Sequence, residues 1–164
     1  MTKREAVFSK DTENKKLTVT RSFGAPLATV WRAWTESEIL DQWWAPKPFR
    51  AETKTMDCKS GGHWLYCMVG PEGERHWCKV DYHIVNPESH INSSAGFCDE
   101  NGTPNLEFPI MHWDKNFKAE GNETQVYIEI TFDKEEDMNT IIGMGFKEGF
   151  TAGMENLDDY LMSK

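Results

Sequence analysis

From Asp137 to Met162 the chain carries Met138, Ile141, Ile142, Phe146, Phe150, Met154, Leu157 and Leu161, so apolar side chains return at three- and four-residue steps. That spacing marks one face of a helix and predicts a long terminal helix docked on another layer. The same stretch holds Gly145, Gly149 and Gly153 four residues apart, a second stripe without side chains. Each glycine inside a helix costs about 0.5–1 kcal/mol relative to alanine, so the stripe needs roughly 2–3 kcal/mol of compensation. Either another backbone packs closely against the bare flank, or the flank leaves room for a ligand beneath it. The expectation is a long helix lying across a curved sheet.

The rest of the chain supplies that sheet. Leu17, Val19, Arg21 and Phe23 alternate with Thr18, Thr20 and Ser22, which predicts a first strand, with a polar turn over Lys10 to Lys16 before it. Pro26 suits the first turn of a helix that presents Leu27, Val30, Trp31 and Trp34 on one side. Thr35-Glu36-Ser37-Glu38 has the form of a capping box, with Thr35 as N-cap of a second short helix carrying Ile39, Leu40, Trp43 and Trp44. Between Phe49 and Asp133, turn residues separate short alternating runs, and about six antiparallel strands fit.

The Pro71-Glu72-Gly73 turn reads as a three-residue hairpin loop with glycine in the left-handed position. That loop pairs Met68 with His76, Tyr66 with Cys78 and Trp64 with Val80. One face then holds Trp64, Tyr66, Met68, His76, Cys78, Val80, Tyr82 and Ile84, and the other Lys79, Asp81 and His83. Later strands add Phe97, Met111, Trp113, Val126, Ile128, Ile130 and Phe132 to the inner set.

At 164 residues the expectation is one domain over 1–164, with 1–16 an N-terminal segment ordered in part. Eighteen basic against 27 acidic residues give a net charge of −9, which repels phosphate backbones and anionic lipid, so neither nucleic acid nor membrane is an expected partner. The N-terminal stretch contains no apolar run like a signal peptide, and no stretch approaches the roughly 18 apolar residues of a membrane span. A cytoplasmic location is the expectation. Cys58, Cys67, Cys78 and Cys98 show no CxxC spacing and read as reduced, mostly buried thiols.

No metal, cofactor or catalytic motif stands out. His63, His76, His83, His90 and His112 join no zinc pattern, and no nucleophile elbow or phosphate-cradling loop is present. The acidic Asp99-Glu100-Asn101-Gly102 reads as a solvated turn. His76 is the one histidine that the hairpin register places on the inner wall, where it is a hydrogen-bond donor or a base for a ligand, or else a histidine bonded at the sheet edge.

The segments Arg21-Ser-Phe-Gly-Ala-Pro26, Val30-Trp-Arg-Ala-Trp-Thr35 and Trp43-Trp-Ala-Pro46 resemble the opening of the activator of heat shock protein 90 ATPase homologue-like family. Gly61-Gly62-His63-Trp64, Pro71-Glu-Gly73, Phe97-Cys-Asp-Glu-Asn-Gly102, Gly149-Phe150 and Leu157-Asp-Asp-Tyr-Leu161 look like its later landmarks. The likeness runs from Leu17 nearly to the end and departs at Phe150, where the pattern has tryptophan. It implies the START-like, or Bet v 1-like, helix-grip fold: an α+β arrangement with six to seven curved antiparallel strands around a long C-terminal helix and two short helices after the first strand.

The resemblance also implies a deep apolar cavity between sheet and terminal helix. Trp64, Tyr66, Met68, Cys78, Tyr82, Phe97, Trp113, Phe146, Phe150 and Met154 are its expected walls, with His76 and the tyrosine hydroxyls orienting an apolar or aromatic ligand. A second expectation, carried by the family name alone, is a co-chaperone-like module acting on the heat shock protein 90 ATPase. A third is a cavity cyclase, lyase or hydrolase using His76 with Tyr66 or Tyr82. Several superfamily members pair as dimers, and no stripe in this chain demands a homodimer.

Overall fold

The computed structural model describes residues 5–163. Eight strands form one antiparallel sheet: β1 (Val7–Asp11), β2 (Lys16–Phe23), β3 (Arg50–Asp57), β4 (His63–Val69), β5 (Arg75–Asn86), β6 (His90–Phe97), β7 (Met111–Glu120) and β8 (Glu123–Thr131). Their spatial order is β1-β2-β8-β7-β6-β5-β4-β3, so the chain leaves the sheet after β2 and re-enters at the far edge. That excursion is helical, with α1 (Leu27–Thr35) and α2 (Ser37–Trp43). The chain ends in α3 (Glu135–Gly143) and α4 (Phe146–Met162). This is the helix-grip architecture, with eight strands where six to seven were expected.

The added strand is β1. Residues Val7 to Asp11 pair antiparallel with Lys16 to Thr20, and only the four residues 12–15 turn. Val7 is 66% exposed, and this edge strand buries no residue, so it lacks the inside-outside alternation that marks β2. The six strands between Phe49 and Asp133 are present. The hairpin closes as its turn chemistry requires: the Gly70 amide donates to the Glu74 carbonyl, Gly73 takes φ +86°, and Met68, Tyr66 and Trp64 face His76, Cys78 and Val80.

Two local expectations fail. The pairing of β5 with β6 shifts between Tyr82 and Ile84, a bulge that turns Ile84 outward to 42% exposure and brings Val85 against the core. A strict alternation carried past His83 therefore placed Ile84 on the wrong face. The capping box also does not form. Thr35 is the last residue of α1, where its hydroxyl donates to the Trp31 carbonyl, and Glu36 is the N-cap of α2 without a side-chain bond. A threonine that closes one helix is not free to cap the next.

The terminal helix is interrupted. Gly145 adopts φ +88°, the left-handed region that glycine enters at little cost, and this ends α3 and starts α4. Both helices still send their apolar faces inward, with Met138 and Ile141 buried from α3 and Phe150, Met154, Leu157 and Leu161 buried from α4. Periodicity reports which side chains are buried and is blind to a backbone break between them.

α4 is seated by close contact and by charge. A Cβ on Gly153 would stand 3.1 and 3.3 Å from the carbonyl oxygens of Trp44 and Trp43, so the α2 C-terminus rests directly on the helix backbone. Asn156 Nδ2 donates to the Ala45 carbonyl at 3.1 Å, and the buried Arg21 of β2 donates to the Asp158 carboxylate at 2.8 Å.

Candidate functional site

The inner face of β4 to β7 and the helices above it do not close on each other. Between them is a cavity of about 260 Å³. Its sheet side is made by Trp64, Tyr66 and Met68 of β4, Cys78, Val80 and Tyr82 of β5, Ser93, Ala95 and Phe97 of β6, and Met111, Trp113 and Lys115 of β7. Its helical side comes from Trp34, Leu40 and Trp44, and from Ile141, Phe146 and Phe150. Met144, half exposed at the joint between α3 and α4, marks the rim. The glycines divide their roles: Gly145 and Gly149 line the cavity, while Gly153 takes the close packing against α2.

Nine of the eleven residues expected to line a cavity do so: Trp64, Tyr66, Met68, Cys78, Tyr82, Phe97, Trp113, Phe146 and Phe150. Met154 does not; it is 1% exposed and packed wholly in the helix-sheet core. His76 does not either. It has the register of the inner face but lies at the hairpin end of β5, exposed, with its ring 6.1 Å from that of Phe49. The strand carries it past the end of the cavity, so it neither orients a guest there nor serves as a base inside it. The cavity enzyme built on His76 loses its base.

Aromatic rings form most of the wall. Trp64 stacks on Tyr66 with centroids 4.0 Å apart, and Trp113 meets Phe150 edge-on at 5.5 Å. The tyrosine hydroxyls have partners within the protein. Tyr66 accepts a hydrogen bond from Trp44 Nε1 at 2.9 Å and shares another with the Cys78 thiol, while Tyr82 pairs with the Cys58 thiol. Burial pushes both hydroxyls far above the ordinary tyrosine range, raises Cys58, and lifts Cys78 to about 12. All four groups are therefore neutral at physiological pH. The cysteines are free thiols.

One charged group enters this wall, and the sequence reading passed over it. Lys115 is 7% exposed and lines the cavity, its Nζ 5.6 Å from the ring centroid of Trp34 and 5.7 Å from that of Trp113. Desolvation lowers its pKa from the ordinary 10.5 to about 8. Among the described residues no carboxylate forms an ion pair with it. The indole N–H groups of Trp34 and Trp113 are buried and donate to no described residue. The signal was available, because Met111, Trp113, Lys115 and Phe117 share one phase of β7.

Among the described residues no three histidine, cysteine or acidic side chains gather as a metal site, and no helix is long and apolar enough to cross a membrane. Asp99 sits in an exposed turn, where its carboxylate accepts from the backbone N–H groups of Asn101 and Thr103 and its pKa is lowered by those bonds.

A family model described as "Activator of Hsp90 ATPase homolog 1-like protein" matches residues 24–162. Among solved structures, a protein from Arthrobacter aurescens is 28% identical with a TM-score of 0.90, over 96% of this chain and 92% of its own. A Mycobacterium smegmatis protein is 25% identical with a TM-score of 0.87, over 96% of this chain and 97% of its own. One from Staphylococcus epidermidis is 25% identical with a TM-score of 0.83, over 95% and 93%. No curated protein matches the chain.

Proposed function

This chain belongs to the activator of Hsp90 ATPase homolog 1-like family, and from that premise we propose that it is a receptor for a small apolar or aromatic molecule held between the sheet and α4. The observation that carries this reading is the cavity of about 260 Å³, walled by tryptophan, phenylalanine and tyrosine rings and left unfilled by the chain's own side chains. An apolar cavity of roughly 150 Å³ admits benzene, so this one takes a guest of about two fused rings or a medium alkyl chain. Larger lipids exceed it.

Thermal denaturation against a graded ligand series tests the reading. A ligand at about 100 times its Kd stabilises by roughly 2.7 kcal/mol, which raises the midpoint by about 5–10 °C for a chain of this size. Single-ring and two-ring compounds are expected to produce that shift and sterol-sized ones to produce none. If no compound of any size shifts the midpoint, the receptor reading is wrong.

A second reading comes from the family description, which names a chaperone ATPase. It draws support from the connection between β6 and β7, where Leu106 is 85% exposed and Phe108 and Ile110 are 38% and 39% exposed. Stimulation of heat shock protein 90 ATPase turnover, lost on replacing Leu106 and Ile110 with serine, would support it. Unchanged turnover on adding the intact protein would end it.

A further inference from the structure

Lys115 has no evident structural role. It projects from β7 between the inward-facing Trp113 and Phe117, and the backbone beside it is paired with Ile91 of β6 and Ile128 of β8, both fully buried. A cation placed there loses most of its hydration, and stacking over two indole rings offsets only part of that loss. A residue that only packed the wall would be apolar.

Everything around the ammonium is neutral or a donor. No carboxylate lines the cavity. The titratable cavity residues Tyr66, Cys78 and Tyr82, and Cys58 beyond β3, whose thiol acts electrostatically on the ammonium, are all shifted upward by burial and carry no charge at neutral pH. The indole N–H groups of Trp34 and Trp113, the two rings that the ammonium lies over, have no acceptor among the described residues. The wall formed by Trp34, Trp113 and Lys115 thus carries a positive charge and two unpartnered donors, and no carboxylate lines the cavity they border.

We propose that Lys115 is the anchor for the acidic head of the cavity's ligand, so that the ligand class is an apolar carboxylic acid whose aromatic or alkyl body occupies the ring-lined part of the cavity. This rests on the reading of the cavity as a ligand site and adds the polarity and orientation of the guest: carboxylate against β7, body toward Trp64 and Phe150. The ammonium and carboxylate form a charge-assisted pair at a lysine that is 7% exposed, where such a bond is stronger than at the surface.

The test compares matched acids and neutral isosteres by isothermal titration calorimetry: 2-naphthoate with 2-naphthamide, and decanoate with decanol, on the intact protein and on Lys115→Met. Each acid is expected to bind the wild type at least about tenfold more tightly than its neutral partner. In Lys115→Met that preference should vanish while the neutral compounds keep their affinity; Lys115→Gln is the second variant should the methionine protein fail to fold. Equal affinity of acid and isostere for the wild type, or a preference that survives both substitutions, overturns the proposal and leaves the receptor reading standing. Failure of all four compounds to bind overturns this proposal, and the graded ligand series then decides the receptor reading separately.

Discussion

Lys115 sets the energetics of the site at the scale of a single residue. Its pKa in the folded protein is about 8 against an ordinary 10.5, so below pH 8 the lysine is charged in both states and folding bears the whole cost of burying it. Between about pH 8 and 10.5 the unfolded chain holds more protons, and stability rises with pH through that window. The cost is of the order of 3 kcal/mol. Lys115→Met is therefore expected to stabilise the protein by up to about 3 kcal/mol at pH 7, an advantage that shrinks toward zero by about pH 10.5. Urea denaturation at pH 7 and pH 9.5 measures it; a variant less stable than wild type at pH 7 would contradict a costly buried charge. Lys115 is legible in the sequence, since β7 alternates visibly, but the inner set expected from that strand holds only Met111 and Trp113 and omits a lysine in the same phase. His76 erred in the opposite sense, because register fixes the face of a strand and not how far along it the cavity extends.

At the scale of elements, the three glycines of the terminal segment are not equivalent, and their substitutions separate three physical causes. Gly145→Ala forces a side chain into the left-handed region at φ +88° and is expected to cost about 1 kcal/mol. Gly153→Ala drives a Cβ to 3.1 Å from the Trp44 carbonyl oxygen and 3.3 Å from that of Trp43, so α4 must lift from α2, at a cost of about 1–3 kcal/mol. Gly149→Ala meets only Pro46 at 3.8 Å, ordinary contact, and should be neutral or stabilising by up to about 1 kcal/mol from helix propensity. Equal destabilisation by all three in chemical denaturation would contradict this division. Close backbone packing compensates Gly153 alone, and spacing by itself does not distinguish the residue that breaks the helix from the one that packs it. The hairpin register was legible because the turn residues determine it; the bulge at His83 was not, because no residue type announces it.

At the scale of the whole molecule, the helix-grip frame explains why there is a cavity at all. The sheet order brings β3, which follows the two short helices, to the edge opposite β1, so α1 and α2 cross one end of the inner face and α4 rests against α2. The rings of Trp34, Trp44 and Phe150 pack edge-on against one another, joining α1, the α2 C-terminus and α4, and all three line the cavity. Filling the space from the sheet side should abolish ligand binding without unfolding the chain: Ala95→Phe is expected to remove the ligand-induced thermal shift while preserving a cooperative transition, and a retained shift would place the guest elsewhere. The most direct measurement is a crystal structure of the protein grown with 2-naphthoate. The account predicts the two rings against Trp64 and Phe150, with the carboxylate about 3 Å from Lys115 Nζ. A cavity that collapses onto its own side chains, or naphthoate bound only outside it, would contradict it.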